Sequence, residues 1–410
     1  MSSQSDWRAS LTSSRRYDNI QAIKGALEEI GIVATDAHKD AFSIENEAYK
    51  ASSSLEDYEA ACQIKPQPKP TSSLDPVEEV YTATEASESP VITIGRYQNC
   101  QYIGDGVTSE VYKSETVALK VIVQTRNIEP HDPFREAKII KLLKKPCIPL
   151  LDTFRDREQR FVLAFPYMPF SLESLIARGP ISRSRIIKHF RDLFTALQSL
   201  HSQGIIHRDI KPSAILLETP DGPAYLSDFG TAWHPELSIY TEPADQKILD
   251  IGTGSYRSPE ALFGDKSYGT AVDMWAAGAM LAECSRTPPK PLFESRPAHE
   301  DGNQLGLILS IFKNIGSPTR ESWPEAVTFK TPPFEMYQMF KGQRWPGLLA
   351  DVEAEFREII VSLIKYSSHS RASASEVLRH ECFSLASAES NFSSAHHAPS
   401  SSTNPVQSIG

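Results

Sequence analysis

His207-Arg208-Asp209-Ile210-Lys211-Pro212 puts a carboxylate and an ammonium group two residues apart. A carboxylate so placed suits acceptance of a proton from an attacking hydroxyl. Lys211 would neutralise charge on a transferred phosphate. Nineteen residues after Asp209 comes Asp228-Phe229-Gly230, an acid suited to holding magnesium against phosphates. Upstream lies Gly104-x-Gly106-x-x-Ser109-x-Val111. Glycines there let backbone amides approach polyphosphate with no Cβ in the way, though a plain hairpin turn fits that pattern equally well. Val117-Ala118-Leu119-Lys120 follows at strand spacing. A buried ammonium needs a counter-charge. Phosphate oxygens or Glu136, at the start of an apolar-periodic helix, would supply one; two solvated surface charges are the competing reading.

The elements that must position these groups are strand-like first and helical later. Residues 111–113 and 117–123 alternate β-branched and polar side chains, whereas 186–200, 272–283 and 305–315 show helical periodicity. That order predicts an α+β arrangement between about residues 95 and 384. Ahead of it, residues 1–64 read as a small helical module. Ile20, Ile23, Leu27 and Ile30 share one helical face, Ala37, Ala41, Ile44 and Ala48 form a second stripe, and Ser54 with Asp57 starts a short third helix. Residues 65–94 are rich in Pro, Ser, Thr and Glu and read as a disordered linker. Residues 385–410 read as a disordered tail.

Composition narrows the setting. The 410 residues carry a formal net charge of −10, which speaks against direct nucleic-acid binding. Five scattered cysteines form no C-x-x-C pair, so a reduced chain without a disulfide framework or zinc site is expected. The opening residues lack a signal-peptide pattern, and no apolar run approaches a membrane span. The expectation is a nuclear or cytoplasmic protein with no membrane association.

Thr253, Tyr256-Arg257-Ser258-Pro259-Glu260, Asp273-Met274-Trp275-x-x-Gly278 and Arg371 follow in order. With the motifs above, residues 95–384 resemble a eukaryotic protein kinase domain. Tyr256-Arg257, Pro291-Leu292-Phe293-Glu294, Gln304-Leu305 and Ile311-Phe312-Lys313-x-Ile315-Gly316-Ser317-Pro318 resemble the cyclin-dependent-kinase group. The resemblance implies a bilobal fold, with a small β-rich N-lobe and a larger helical C-lobe. It implies serine/threonine phosphorylation of a protein substrate, using ATP and Mg2+, with Mn2+ as an alternative metal. ATP would lie among Ile103, Gly104, Gly106, Val111, Ala118, Lys120, Glu136, Phe165 as gatekeeper and Met168 in the hinge. Asp228 would bind metal, and Asp209, Lys211 and Thr253 would form the catalytic group. Glu260 and Arg371 would form a structural ion pair.

Departures from the family pattern shape the expectation further. Ala214 stands where the family has an asparagine that holds a second magnesium. A catalytically weak pseudokinase or scaffold therefore competes with an active enzyme. Twelve residues before Glu260, where the group carries its activating threonine, stands Ile248. Activity without loop phosphorylation is expected, with Asp250 partly standing in for the phosphate and Thr241 as another candidate site for modification. This resembles the fungal single-subunit kinases that activate cyclin-dependent kinases, which implies a cyclin-dependent kinase as one candidate substrate; Arg257 hints instead at substrates with proline after the acceptor, with Gly254 and Ser255 altering that pocket, and the two alternatives stay open. Asp132-Pro133-Phe134-Arg135-Glu136 replaces the cyclin-binding signature, and no cyclin partner is expected. The N-terminal module resembles a KIX domain of Mediator-type coactivators through Asp6-Trp7-Arg8, Leu11, Arg15, Ile20, Ile23, Leu27, Glu45, Tyr49, Asp57 and Tyr58. That resemblance implies a groove for an amphipathic activator peptide.

Overall fold

A computed structural model describes residues 13–29, 41, 44–45, 47–49, 52, 54–63, 92–124, 129–295, 304–334 and 338–384. The N-terminal unit contains α1 (Ser13–Glu29) and α2 (Leu55–Ala61). The apolar stripe of α1 behaves as its spacing predicts, because Ile20, Ile23 and Leu27 are buried with Ala41, Ala48 and Tyr58. Ser54 caps α2 by accepting the Asp57 N–H, the expected start signal. Glu45 is buried, and what allows this is a set of partners. Arg16 Nε and Nη2 donate to its two oxygens at 2.7 and 2.8 Å, and the Tyr58 hydroxyl adds a bond of 2.6 Å. The Arg16 guanidinium also lies over the Tyr49 ring, 3.9 Å from its centroid. Ile30, Ala37, most of the expected linker and the expected tail lie outside the described residues.

The N-lobe is a six-stranded sheet of order β1-β2-β3-β4-β6-β5. Its strands are β1 (Ile92–Ile94), β2 (Tyr97–Asp105), β3 (Ser109–Ser114), β4 (Val117–Ile122), β5 (Asp152–Arg155) and β6 (Phe161–Pro166). All pairs are antiparallel. One boundary needs correction: residues 92–94, expected within the linker, form β1 and pair with β2. Ile94 is buried against Cys100 and Leu119, so apolar burial overrides the polar composition just upstream.

Helix α3 (Pro133–Leu142) starts at Asp132, whose Oδ1 accepts the N–H groups of Phe134 and Arg135 at 3.0 and 2.9 Å. Pro133 follows at the first helical turn, where its missing N–H costs nothing. This cap fixes where Glu136 sits.

The C-lobe opens with a second sheet, β7 (Phe170–Ser171), β8 (Ile215–Leu217) and β9 (Ala224–Leu226), and with α4 (Leu172–Ala177). Helix α5 (Arg183–His201) buries Ile186, Phe190, Leu193, Leu197 and Leu200, a stripe of period 3.6. After the short α6 (Pro259–Leu262), α7 (Ala271–Cys284) is buried on every side from Val272 to Cys284. Gly278 makes that packing possible, since a Cβ there would lie 2.7 Å from Leu363 Cβ. Leu363 ends one of the later helices, α8 (Leu305–Ile315), α9 (Trp345–Leu348), α10 (Ala354–Leu363) and α11 (Ala374–Leu378). The five cysteines are buried free thiols. Among the described residues no helix is long and apolar enough to cross a membrane.

The expected Glu260–Arg371 pair is present and buried, with Arg371 Nη1 on Glu260 Oε1 at 2.6 Å and on the Ala271 carbonyl at 2.6 Å. Arg371→Ala leaves a buried carboxylate without its cation and lowers stability by about 3–5 kcal/mol. Urea unfolding measures this. Pairing Arg371→Met with Glu260→Gln returns most of the loss, because no bare charge remains.

Candidate active site

Strand register gathers the groups expected around ATP. Gly104 pairs with Val111, Val111 with Lys120, Ala118 with Phe165, and Lys120 with Leu163. Ala118 and Lys120 are two residues apart on β4 and so point to the same face. Phe165 is buried in the main core, and Ala118 and Met168 pack against that core. The β2–β3 turn is closed by Gly106 N–H on the Ser109 carbonyl at 2.7 Å. A Cβ at Gly106 would come 3.2 Å from Ser109 Oγ, and one at Gly104 would meet nothing within 4 Å. Ile103 sits at the register shift in β2 and stays exposed. The hinge after β6 is pinned by Tyr167 N–H on the Thr116 carbonyl at 2.7 Å.

Lys120 finds the counter-charges that its position demands. Its Nζ donates to Glu136 Oε1 and Oε2 at 2.8 and 2.9 Å and to Asp228 Oδ1 at 3.1 Å. The surface-charge reading of Lys120 and Glu136 is thereby set aside. Burial works against the ammonium, but Glu136 and Asp228 outweigh it and raise the Lys120 pKa above its ordinary value. Asp228 is held far below the usual carboxylate range, chiefly by Lys120, with Lys211 assisting against burial. Both groups are therefore charged at neutral pH.

Asp228 stands at φ 60°, a left-handed conformation uncommon for a residue with a side chain. Neighbours enforce it. Phe229 is fully buried and edge-on to His207 at 4.9 Å, and the Gly230 carbonyl accepts Asp132 N–H at 3.0 Å, tying this turn to the start of α3. His207 Nε2 donates to the Ser227 carbonyl at 2.9 Å.

The second cluster centres on Asp209. Its Oδ1 accepts the Thr253 hydroxyl at 2.6 Å, and its Oδ2 accepts Lys211 Nζ at 2.5 Å. Lys211 also lies 3.4 Å from Thr253 Oγ1. The backbone that carries Asp209 is clamped from α7. Asp273 Oδ2 accepts His207 N–H at 2.9 Å, and Oδ1 accepts Arg208 N–H at 2.8 Å. His201 Nε2 donates to the same buried carboxylate at 2.9 Å. The sequence marked Asp273 as part of a motif, but its role emerges only from contacts spanning more than sixty residues.

Ala214 closes a 3₁₀ turn (Pro212–Ala214) and is 1% exposed. Its carbonyl accepts both the backbone N–H and the hydroxyl of Ser227 at 2.9 Å, but its methyl group can ligate nothing. Asp228, 43% exposed beside two lysines, is a hard-oxygen donor suited to magnesium. The carboxylate therefore fits a divalent metal, which Asp228 would hold. Asp250, expected as a phosphate stand-in, is 81% exposed and pairs with Arg257. It makes no bond to Arg208. The reason is proximity, since Arg257 folds back on the same turn and donates through Nε to the Gly252 carbonyl at 3.0 Å.

Comparison with known proteins agrees with this geometry. The family model described as "Protein kinase domain" matches residues 97–383. The chain is 33% identical over 295 residues to serine/threonine-protein kinase csk1 of Schizosaccharomyces pombe, covering 68% of this chain and 91% of that protein. It is 29% identical over 310 residues to cyclin-dependent kinase D-1 of Arabidopsis thaliana, covering 73% and 74%. It is 31% identical over 305 residues to cyclin-dependent kinase 7 of Xenopus laevis, covering 70% and 81%. An assembled Lys120–Glu136–Asp228 cluster, an Asp209–Lys211–Thr253 cluster and these relatives converge: the chain belongs to the protein kinase family, as an ATP-dependent serine/threonine kinase of the cyclin-dependent-kinase-like group.

Proposed function

We propose that this kinase is catalytically competent with Asp228 as its one protein metal ligand, and that its target is the activation loop of a cyclin-dependent kinase. What supports competence is the coexistence of two clusters, Lys120 between Glu136 and Asp228, and Asp209 between Lys211 and Thr253. Kinase regulation works by breaking the first of these. In transfer, Lys120 takes the α- and β-phosphate oxygens while Glu136 keeps it aimed. Asp209 accepts the proton of the substrate hydroxyl, and Lys211 balances charge on the moving phosphoryl group. Bound Mg2+ neutralises phosphate oxygens, and Mn2+, which also favours oxygen ligands, serves as an alternative. The pseudokinase or scaffold reading rests on Ala214 alone.

The target reading rests on Ile248 in place of an activating threonine, the feature shared with fungal activators of cyclin-dependent kinases. In this reading no cyclin is needed. A second reading is favoured by Gly252, whose φ is 76° and whose carbonyl is already occupied by Arg257. A peptide N–H immediately after the phosphoacceptor would then lack that acceptor. An unmade bond of this kind costs about 1–3 kcal/mol, and proline, with no N–H, avoids the cost. Peptides with proline after the serine or threonine are thus expected to be preferred by roughly fivefold or more.

The N-terminal unit is read as a KIX-like module for an amphipathic activator peptide, in a protein of the nucleus or cytoplasm. Loss of a partner on deletion of residues 1–64 tests this. For the kinase, labelled phosphate transfer is measured with Mg2+ and Mn2+ on a purified cyclin-dependent kinase and on matched peptides with proline or alanine after the acceptor. Preferential labelling of the folded kinase supports the activator reading, and preferential labelling of the proline peptides supports the second. Absence of transfer from folded protein in both metals would refute competence.

A further inference from the structure

Arg208 carries its charge where water does not reach, its side chain being 0% exposed. A guanidinium so buried is strongly disfavoured without an anion. The anion is Glu242, 34 residues downstream, whose Oε1 accepts from Arg208 Nη1. The same oxygen accepts the Ile248 N–H at 2.7 Å. Around it, Trp233 Nε1 donates to the Glu242 carbonyl at 2.9 Å, and Arg208 Nε donates to the Thr231 carbonyl at 2.5 Å. Arg208 Nη1 also reaches the Tyr268 hydroxyl at 3.1 Å, and that hydroxyl donates to the Ile248 carbonyl at 2.7 Å. Glu242 thus joins the catalytic loop to both limbs of the segment running from Asp228 to Thr253, its carboxylate reaching Arg208 and Ile248 and its backbone carbonyl reaching Trp233.

Arg135, the residue before Glu136 on α3, belongs to the same charge cluster. Burial, then the like charge of Arg208, pushes its guanidinium below its ordinary value, and Glu242 pushes back. Among the described residues, Arg208 Nη2 and Arg135 Nε have no hydrogen-bond partner. Arg208, with a donor to spare, and Arg135, within the field of the same carboxylate, form a cradle suited to an oxyanion. Where phosphorylation orders a kinase activation segment, it does so by creating arginine–phosphate pairs. In this chain the threonine position is Ile248, which contributes only backbone atoms to the cluster.

We infer that Glu242 is a positioning residue, a resident anion that anchors Arg208 and the activation segment so that Asp209 and Thr253 are aligned without phosphorylation. The catalytic part of this inference rests on the phosphotransfer reading above; the anchoring part does not. Glu242 touches neither substrate nor reacting atoms and acts through Arg208 and Ile248.

The test uses the full chain, treated with phosphatase and shown by mass to be unphosphorylated. Wild type retains transfer. Glu242→Gln, nearly isosteric but neutral, lowers kcat about 100-fold, the scale of a small misplacement relayed to the reacting groups, with KM for ATP changed far less. Glu242→Asp keeps most activity. Glu242→Ala opens the cradle, and sodium formate restores transfer saturably whereas formamide and sodium chloride do not. Hydrogen exchange gives a readout independent of activity: amides of 248–253 exchange faster in Glu242→Gln, while those of α5 do not change. Wild-type kcat in Glu242→Gln overturns the inference. So does a loss in Glu242→Ala that formate fails to relieve. An inactive wild type whose segment still loosens on Glu242→Gln would fault the phosphotransfer reading and leave the anchor standing.

Discussion

Asp228→Asn eliminates phosphate transfer while the protein stays folded. The carboxylate lies against Lys120 at 3.1 Å and is held ionised mainly by that lysine. It is the charge that a divalent metal would meet. In the resembling kinases an asparagine shares that metal-binding work; here the position is Ala214, buried and without a ligand atom. Among the described residues there is no group of three His, Cys, Asp or Glu side chains that could take over. An enzyme with one protein ligand has less to fall back on than one with two. Charge stabilisation in phosphoryl transfer relies on the metal, so kcat is expected to fall by about 10³-fold or more. An asparagine can still accept Lys120 through its carbonyl, and the turn around Phe229 is held by backbone bonds, so the melting temperature changes little. Thermal shift with ATP, with and without Mg2+, separates the two effects. Wild type gains stabilisation from the metal; the variant gains none. Retention of more than a tenth of the wild-type rate would mean that the metal is held elsewhere.

How much of this was legible in the sequence depends on the distance over which each contact acts. Asp209 and Lys211 lie two residues apart, so their shared chemistry is local and readable. Lys120 and Glu136 lie sixteen residues apart, yet each has an evident need, since a lysine on an apolar strand and a glutamate in the first turn of a helix both require a partner if buried. The α1 stripe was readable because periodicity is local, but the Arg16–Glu45–Tyr58 network that secures it was not. Arg208 shows the limit. Asp250, close to the missing threonine in sequence and expected to stand in for its phosphate, pairs instead with Arg257, seven residues away. Glu242 carries no motif and precedes a proline in a loop. Only the folded segment brings it to Arg208. Strand β1 failed for the opposite reason: Ile92 and Ile94 form too short an apolar signal to stand out beside the polar run before them.

Asp209→Asn separates alignment from proton acceptance. Both Asp209 oxygens are engaged, Oδ1 by the Thr253 hydroxyl and Oδ2 by Lys211, so the side chain is fixed before substrate arrives. An asparagine retains one acceptor oxygen and can satisfy one of these donors. It cannot take a proton from a serine hydroxyl, and its NH2 faces a donor where an acceptor stood. A positioned base contributes roughly 10²- to 10⁴-fold, and kcat should fall within that range. KM for ATP should barely move, because Lys120, Glu136 and Asp228 are untouched. Thr253→Ala provides the contrast. It removes one of the two bonds that orient Asp209 but leaves the base and Lys211 in place, so its loss should be smaller, about tenfold if one hydrogen bond to a carboxylate, about 1.5 kcal/mol, is all that is lost. Steady-state kinetics on one protein substrate measures both variants. If Thr253→Ala cost as much as Asp209→Asn, alignment rather than proton acceptance would be the main contribution of Asp209. That outcome would fit a loose, dissociative transfer in which the hydroxyl proton leaves late.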